Sequence, residues 1–245
     1  TGDIITMVDG ITYSGKDLSL AAAAIRGEKG TQVVITYWRD GIVKEMRITR
    51  ATIIDQTVYS EILDDNIGYI RISQFENKTG TDFETELHQL ELSGVKGIII
   101  DIRNNGGGIV EAGLTTADLL LDAGTITYLE NNKGEKSFYN SAAGKTNVPY
   151  VLLVNGGTAS TSEIVAAAVM DNEGGAIVGT RTFGKGVVQT VKELTGGDAI
   201  KLTIAQYYSP DGNVIHEKGI EPNYIVEDVE NNIDEQLEKA IELLK

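Results

Sequence analysis

The segment Gly97-Ile98-Ile99-Ile100-Asp101-Ile102 limits the fold more than any other part of the chain. It is apolar at consecutive positions, so a strand built from it buries both faces and needs a covering layer on each side. Asn104-Asn105-Gly106-Gly107-Gly108 then ends it abruptly. A second such run, Tyr150 to Val154, stops at Asn155-Gly156-Gly157. Between them the periodicity turns helical. Phe83, Leu87 and Leu90 repeat at helical spacing within Thr81 to Leu92, and further helices are expected from about Glu111 to Leu121 and from about Ser160 to Asp171. Ile67 to Ile72, Ala176 to Val178 and Leu202 to Tyr208 read as strands, and Ile233 to Leu244 as an acidic amphipathic helix. Strands alternating with helices predict a layered α/β fold, whose functional groups gather outside the carboxyl ends of the strands. Three polar, Gly-rich segments fall at such ends: 104–108, 155–162 and 179–186.

The first 52 residues follow another rhythm. Ile4 to Val8 is strand-like and Asp9-Gly10 makes a turn. Leu18 to Ile25 is an Ala-rich helix closed by Gly27 to Gly30, and Gln32 to Tyr37 and Ile42 to Ile48 form a hairpin at Asp40-Gly41. This is a small, mostly β module, marginal by itself. The expected division is 1–52 and 53–245. The opening residues read as the interior of a domain, an expectation that chain precedes Thr1.

Composition removes several functions. A net charge of −15 argues against nucleic-acid binding, which needs clustered Lys and Arg. The absence of cysteine excludes disulfides, thiolate catalysis and Cys-based zinc sites. His88 and His216 are the only histidines, so a multi-histidine metal site is unavailable. No cofactor or metal is called for. No apolar run reaches the roughly 18 residues of a membrane span.

Gly157-Thr158-Ala159-Ser160-Thr161-Ser162-Glu163 puts hydroxyls at a strand-to-helix turn, where helix N-terminal amides stabilise negative charge. The same residues fit a helix cap, with Glu163 completing a capping box, and local sequence favours the cap. A nucleophilic serine needs a base. Nothing in the sequence places His88 or His216 beside it. Lys185 sits among small and apolar neighbours in Thr182-Phe183-Gly184-Lys185-Gly186-Val187-Val188-Gln189, and a lysine acts as a base only in its neutral form, which desolvation favours. Gly179 to Lys185 also spells the G-x-x-x-x-G-K of a phosphate-binding loop. Gly186 stands where that loop needs Ser or Thr, and the residues after it read as β rather than helix. Three consecutive glycines at 106–108 allow a turn, a phosphate nest or an oxyanion donor.

Taken together these segments resemble the C-terminal processing peptidases, or tail-specific proteases, of peptidase family S41. Gly68 to Phe75 resembles the family's opening strand, Gly97 to Gly108 its D-x-R-x-N-x-G-G segment, and Thr158 to Ile164 its S-A-S-A-S-E-I nucleophile motif. Gly179 to Gln189 resembles its lysine motif. Ser209-Pro210-Asp211-Gly212 and Lys218-Gly219-Ile220-Glu221-Pro222 resemble its final block. The resemblance implies a layered α/β peptidase domain with a ClpP- and crotonase-like core. It implies Ser160 as nucleophile and Lys185 as base, because the family spacing between them is 25 residues and 185 − 160 = 25. It further implies Gln189 as the residue positioning Lys185, and backbone amides of Gly106, Gly107 and Thr161 as the oxyanion hole. Residues 2 to 50 resemble the later part of a PDZ domain, whose earlier strands and carboxylate-binding loop would precede Thr1, so a partial module is expected. Implied partners are proteins or peptides with accessible C-termini, with no nucleic acid. The full-length protein is implied to be exported to the cell envelope (periplasmic or extracellular), as a homodimer or membrane-tethered. The alternative is a catalytically silent PDZ-like peptide-binding or scaffold protein of the same fold.

Overall fold

A computed structural model describes residues 2–52, 55–194, 198–227 and 233–245. The chain forms two compact units, Thr1–Asp55 and Gln56–Lys245.

In the first unit, β1 (Ile4–Val8), β2 (Ile11–Thr12), β3 (Gln32–Arg39) and β4 (Ile42–Thr49) form an antiparallel sheet in the order β2-β1-β3-β4, with α1 (Leu18–Ile25) between β2 and β3. The hairpin turns where Asp40-Gly41 predicts, with φ of 52° and 80°, the left-handed pair that matches strand twist. The core is small, built on Val8, Val33 and Ile35, and α1 buries none of its own residues.

The second unit contains β5 (Val58–Leu63), β6 (Ile67–Ile72), α2 (Thr79–Leu92), β7 (Gly97–Asp101), α3 (Val110–Leu120), β8 (Gly124–Asn131) and β9 (Lys136–Ser141). It continues with β10 (Tyr150–Val154), α4 (Thr161–Asp171), β11 (Ala176–Gly179), β12 (Val187–Glu193), β13 (Ala199–Tyr208), β14 (Tyr224–Ile225) and α5 (Glu235–Leu243). Among the described residues one sheet runs β14-β11-β10-β7-β6-β5, parallel except where β5 pairs antiparallel with β6. The apolar runs have the predicted consequence. Ile98, Ile100, Leu152 and Val154 point into the core shared with α2, α3 and α4, while Ile99, Val151 and Leu153 pack on the opposite face with α5 residues such as Ala240 and Leu237. This side-to-side alternation is the period-2 geometry of a strand with both faces covered. A second, antiparallel sheet runs β12-β13-β8-β9.

Two features depart from expectation. The β8–β9 hairpin and β5 are strands that the apolar patterning does not announce; much of β9 and β5 is exposed, so their sequences lack the apolar runs that mark the central strands. The helix expected from Ser160 begins at Thr161, and Ser160 stands outside it in a non-helical conformation.

Candidate active site

Because β7, β10 and β11 are parallel neighbours, the loops after them leave the sheet at the same edge. They enclose a cleft of about 420 Å³ lined by Ser73, Gln74, Asn104, Gly106, Gly107, Gly108, Ser160 and Lys185. Residues that sequence reasoning drew from three separate segments thus share one cavity.

Ser160 has φ +60° and ψ −118°. A non-glycine residue in this sparsely populated region costs about 1–3 kcal/mol and persists only where its surroundings enforce it. A strained serine on a sharp strand-to-helix turn is how a nucleophile is presented at the top of a sheet. The neighbouring hydroxyls are committed elsewhere. Thr158, Thr161 and Ser162 are fully buried. They donate to the carbonyls of Ile102 at 3.0 Å, Gly108 at 2.9 Å and Asn105 at 2.9 Å. Ser160 lines the cleft, and the expected capping box places its side chain beside the Glu163 amide while Glu163 accepts from the Ser160 amide. That separates it from Ser162, which sequence alone distinguishes only by spacing.

The glycine loop is held against this turn by Asn105, which is fully buried. Its Nδ2 donates to the Ile72 carbonyl at 3.0 Å, its Oδ1 accepts from the Gly107 amide at 2.9 Å, and its own carbonyl accepts from the Ala159 amide at 3.0 Å. Gly107 has φ +94°, and a Cβ there would lie 2.7 Å from the Ala159 carbonyl oxygen and 2.8 Å from Ser160 Cβ. Its role is close approach. Its N–H, expected as an oxyanion donor, is donated to Asn105 here. Among the described residues the amides of Gly106, Gly108 and Thr161 donate to no protein acceptor. Of these, Gly106 and Gly108 line the cleft and Thr161 opens α4, where the helix dipole favours negative charge.

Glu163 is the residue whose weight sequence reasoning underestimates. It is fully buried, yet its Oε2 accepts from the amides of Ser160 at 2.9 Å and Lys185 at 2.7 Å. Its Oε1 accepts from the Gly184 amide at 2.7 Å and the Thr182 hydroxyl at 2.6 Å. One carboxylate therefore ties the serine turn to the lysine loop. That loop is braced on its other side, where Thr182 and Ile220 exchange hydrogen bonds and the Glu217 amide donates to the Gly184 carbonyl at 2.9 Å.

Lys185 differs from expectation in one respect. Gly184 and Gly186 beside it are buried, but Lys185 itself is exposed, with its side chain reaching the solvent-filled cleft. Gln189 is not brought to it: Gln189 is exposed on β12 and its Nε2 donates to Thr203 Oγ1 on β13 at 3.3 Å. Neither histidine lines the cleft. His88 is exposed on α2, and the His216 backbone packs against Gly186. The phosphate-loop reading also fails, since Gly186 leads into β12 and no helix N-terminus follows it.

Below the glycine loop, buried Asp101 at the end of β7 accepts from Tyr69 Oη at 2.7 Å and pairs with Arg103 at 2.7 Å. Burial, with the Asp101 charge adding to it, pushes the Tyr69 phenol up to about 12. Burial alone would lower the Arg103 value; the carboxylates of Asp234 and Asp101 outweigh it and hold the guanidinium charge more firmly than usual.

The profile described as "Peptidase family S41" matches residues 66–226, which include every cleft residue. The carboxy-terminal processing protease CtpA of Bacillus subtilis is 41% identical over 223 residues, covering 90% of this chain and 48% of that protein. A carboxyl-terminal-processing protease of Synechocystis is 38% identical over 256 residues, covering 99% and 60% respectively. Among solved structures, the photosystem II D1 C-terminal processing protease superposes with a TM-score of 0.67 at 31% identity, covering 97% of this chain and 66% of that one. The chain thus spans 48% to 60% of the length of these two curated relatives.

Proposed function

We propose, from the premise that the chain belongs to peptidase family S41, that it is a serine endopeptidase using a Ser160–Lys185 dyad to cleave proteins near their C-termini. The observation that carries this reading is the single cleft lined together by a strained Ser160, Lys185 and Gly106, whose amide has no protein acceptor. Ser160 Oγ attacks the scissile carbonyl as neutral Lys185 Nζ takes its proton. The developing oxyanion is received by the Gly106 and Thr161 amides, where preorganised donors stabilise charge strongly. Lys185 returns the proton to the leaving amine, then activates the water that hydrolyses the acyl-enzyme. Gln189 serves as the positioning partner of Lys185 only if its bond to Thr203 is exchanged on substrate binding.

The names of the relatives support C-terminal processing as the class of cleavage. Residues 1–52 are read as a partial PDZ-like module and residues 53–245 as the peptidase domain. By the same resemblance the protein is exported to the cell envelope, and the whole protein is a homodimer or is held at a membrane. Among the described residues no helix is long and apolar enough to cross one.

The test is cleavage of casein by the wild type, Ser160→Ala and Lys185→Ala, each confirmed folded by circular dichroism. Loss of at least about 10⁴-fold in both variants is expected. Activity surviving Ser160→Ala refutes the nucleophile, and a folded but inactive wild type favours the silent scaffold.

A further inference from the structure

Asp234, the N-cap of α5, does two things at once. Its Oδ1 accepts from the Leu237 amide at 2.9 Å, capping the helix. Its two oxygens also receive Arg103 Nη1 and Nη2, both at 2.8 Å, in a fork-to-fork pair across 131 residues of sequence. Gln236 adds its Oε1 to Arg103 Nη1 at 3.1 Å and donates its Nε2 to the Val226 carbonyl at 2.8 Å. The remaining edge of the guanidinium is filled by Asp101, to which Nε and Nη2 donate at 3.1 Å and 2.7 Å.

Asp101 is shared between Arg103 and Arg71, whose Nη1 lies 3.3 Å from its Oδ2, so Asp234 supplies the second carboxylate for two guanidinium charges. Beyond charge it adds orientation, because a bidentate Arg–carboxylate pair fixes the plane of the guanidinium. Asp234 is 40% exposed while Arg103 is 13% exposed, so the pair sits at the rim and contributes little to global stability. Its consequence is local. Arg103 is followed directly by Asn104, whose amide donates to Asn155 Oδ1 at 2.9 Å and whose φ is +58°, then by Asn105 and the glycines. Arg103 thus stands three residues before Gly106 on the same turn.

We propose that Asp234 is a positioning residue for the glycine loop, acting through Arg103, so that this charged fork aligns the oxyanion donors of the cleft. This rests on the peptidase reading above.

The deciding pair of variants is Asp234→Asn and Ala240→Gly. Asparagine caps a helix as well as aspartate, so Asp234→Asn keeps the cap and removes only the charged fork. Ala240 is fully buried in α5, one turn beyond Gln236, and has no polar side-chain group to offer Arg103, so Ala240→Gly weakens the helix itself and leaves the charged fork in place. With a peptide substrate, Asp234→Asn is expected to lower kcat about tenfold or more with KM within about twofold, because misplaced oxyanion donors act on the transition state. Ala240→Gly is expected to lower the melting temperature and leave kcat unchanged. In glycine-labelled protein, the NMR amide signals of Gly106, Gly107 and Gly108 are expected to shift in Asp234→Asn and to stay put in Ala240→Gly. A kcat within twofold of wild type in Asp234→Asn, or equal effects of both variants on kcat or on the glycine signals, overturns the proposal. A wild type that cleaves nothing refutes the peptidase reading, and the glycine signals then decide the coupling by themselves.

Discussion

Replacing Glu163 by glutamine tests the joint between serine turn and lysine loop with no change of shape. The carboxylate accepts from four donors, two on each oxygen. The amide of glutamine must place an N–H₂ at one of the two positions. The better choice is the Oε1 position, where the Thr182 hydroxyl can turn to accept, leaving the Gly184 amide facing another donor. A buried unsatisfied N–H costs about 1–3 kcal/mol. The other oxygen still accepts from Ser160 and Lys185, but as a neutral group, losing about 1 kcal/mol per bond. The sum is about 3–5 kcal/mol. At roughly 2–4 °C per kcal/mol for a unit of this size, the melting temperature should fall by about 10 °C. Because the two weakened bonds hold the backbone of Ser160 and Lys185, a displacement on the order of 1 Å should also lower kcat about 100-fold. Thermal unfolding by circular dichroism and initial rates on one peptide measure both. A melting temperature within about 2 °C of wild type refutes the burial argument, and a large fall in melting temperature with unchanged kcat refutes the positioning argument.

Gly107→Ala should abolish activity and lower stability by about 1–3 kcal/mol, since its Cβ has no room at φ +94°. Gly106→Ala, which meets nothing within 4 Å, should leave the melting temperature unchanged; urea unfolding of both variants separates them. Asn105→Ala leaves the Gly107 amide and the Ile72 carbonyl unpaired in the core. A loss of about 2–4 kcal/mol in chemical denaturation is expected. Burial alone would raise the Asp234 carboxyl, but hydrogen bonding and charge from Arg103 prevail and hold it below its ordinary 3.8. Its contribution is therefore complete above the ordinary value and is lost as pH falls through the lowered one. Melting temperatures of wild type and Asp234→Asn should differ most near neutrality and converge in acid. The Tyr69 phenol, up at about 12 from 10.0, has the opposite sense: stability is full below pH 10 and lost as pH rises towards 12. Tyr69→Phe should flatten that alkaline limb in pH-dependent unfolding.

The amino-acid sequence by itself determined the inner strands β6, β7, β10 and β11 of the central sheet, the helices against it and the three loops that meet at its edge. Strands such as Gly97–Asp101 and Tyr150–Val154 are covered on both faces, and that burial forces an uninterrupted apolar run which is legible without coordinates. The half-exposed β8–β9 hairpin carries no such constraint and was not legible. Ser160 and Lys185 stood out as candidates through the resemblance to the family's motifs and their 25-residue spacing, whereas the local sequence around Ser160 favoured a helix cap. The committed state of each group was not legible. That Ser162 is bonded away, that Gly107 gives its amide to Asn105, that Gln189 leans on Thr203, and that Glu163 gathers four donors all depend on which distant backbone groups come within 3 Å. The bond from Arg103 to Asp234 is the extreme case. No pattern in either segment marks the other as its partner, and only the packing of α5 against the sheet brings the two charges together.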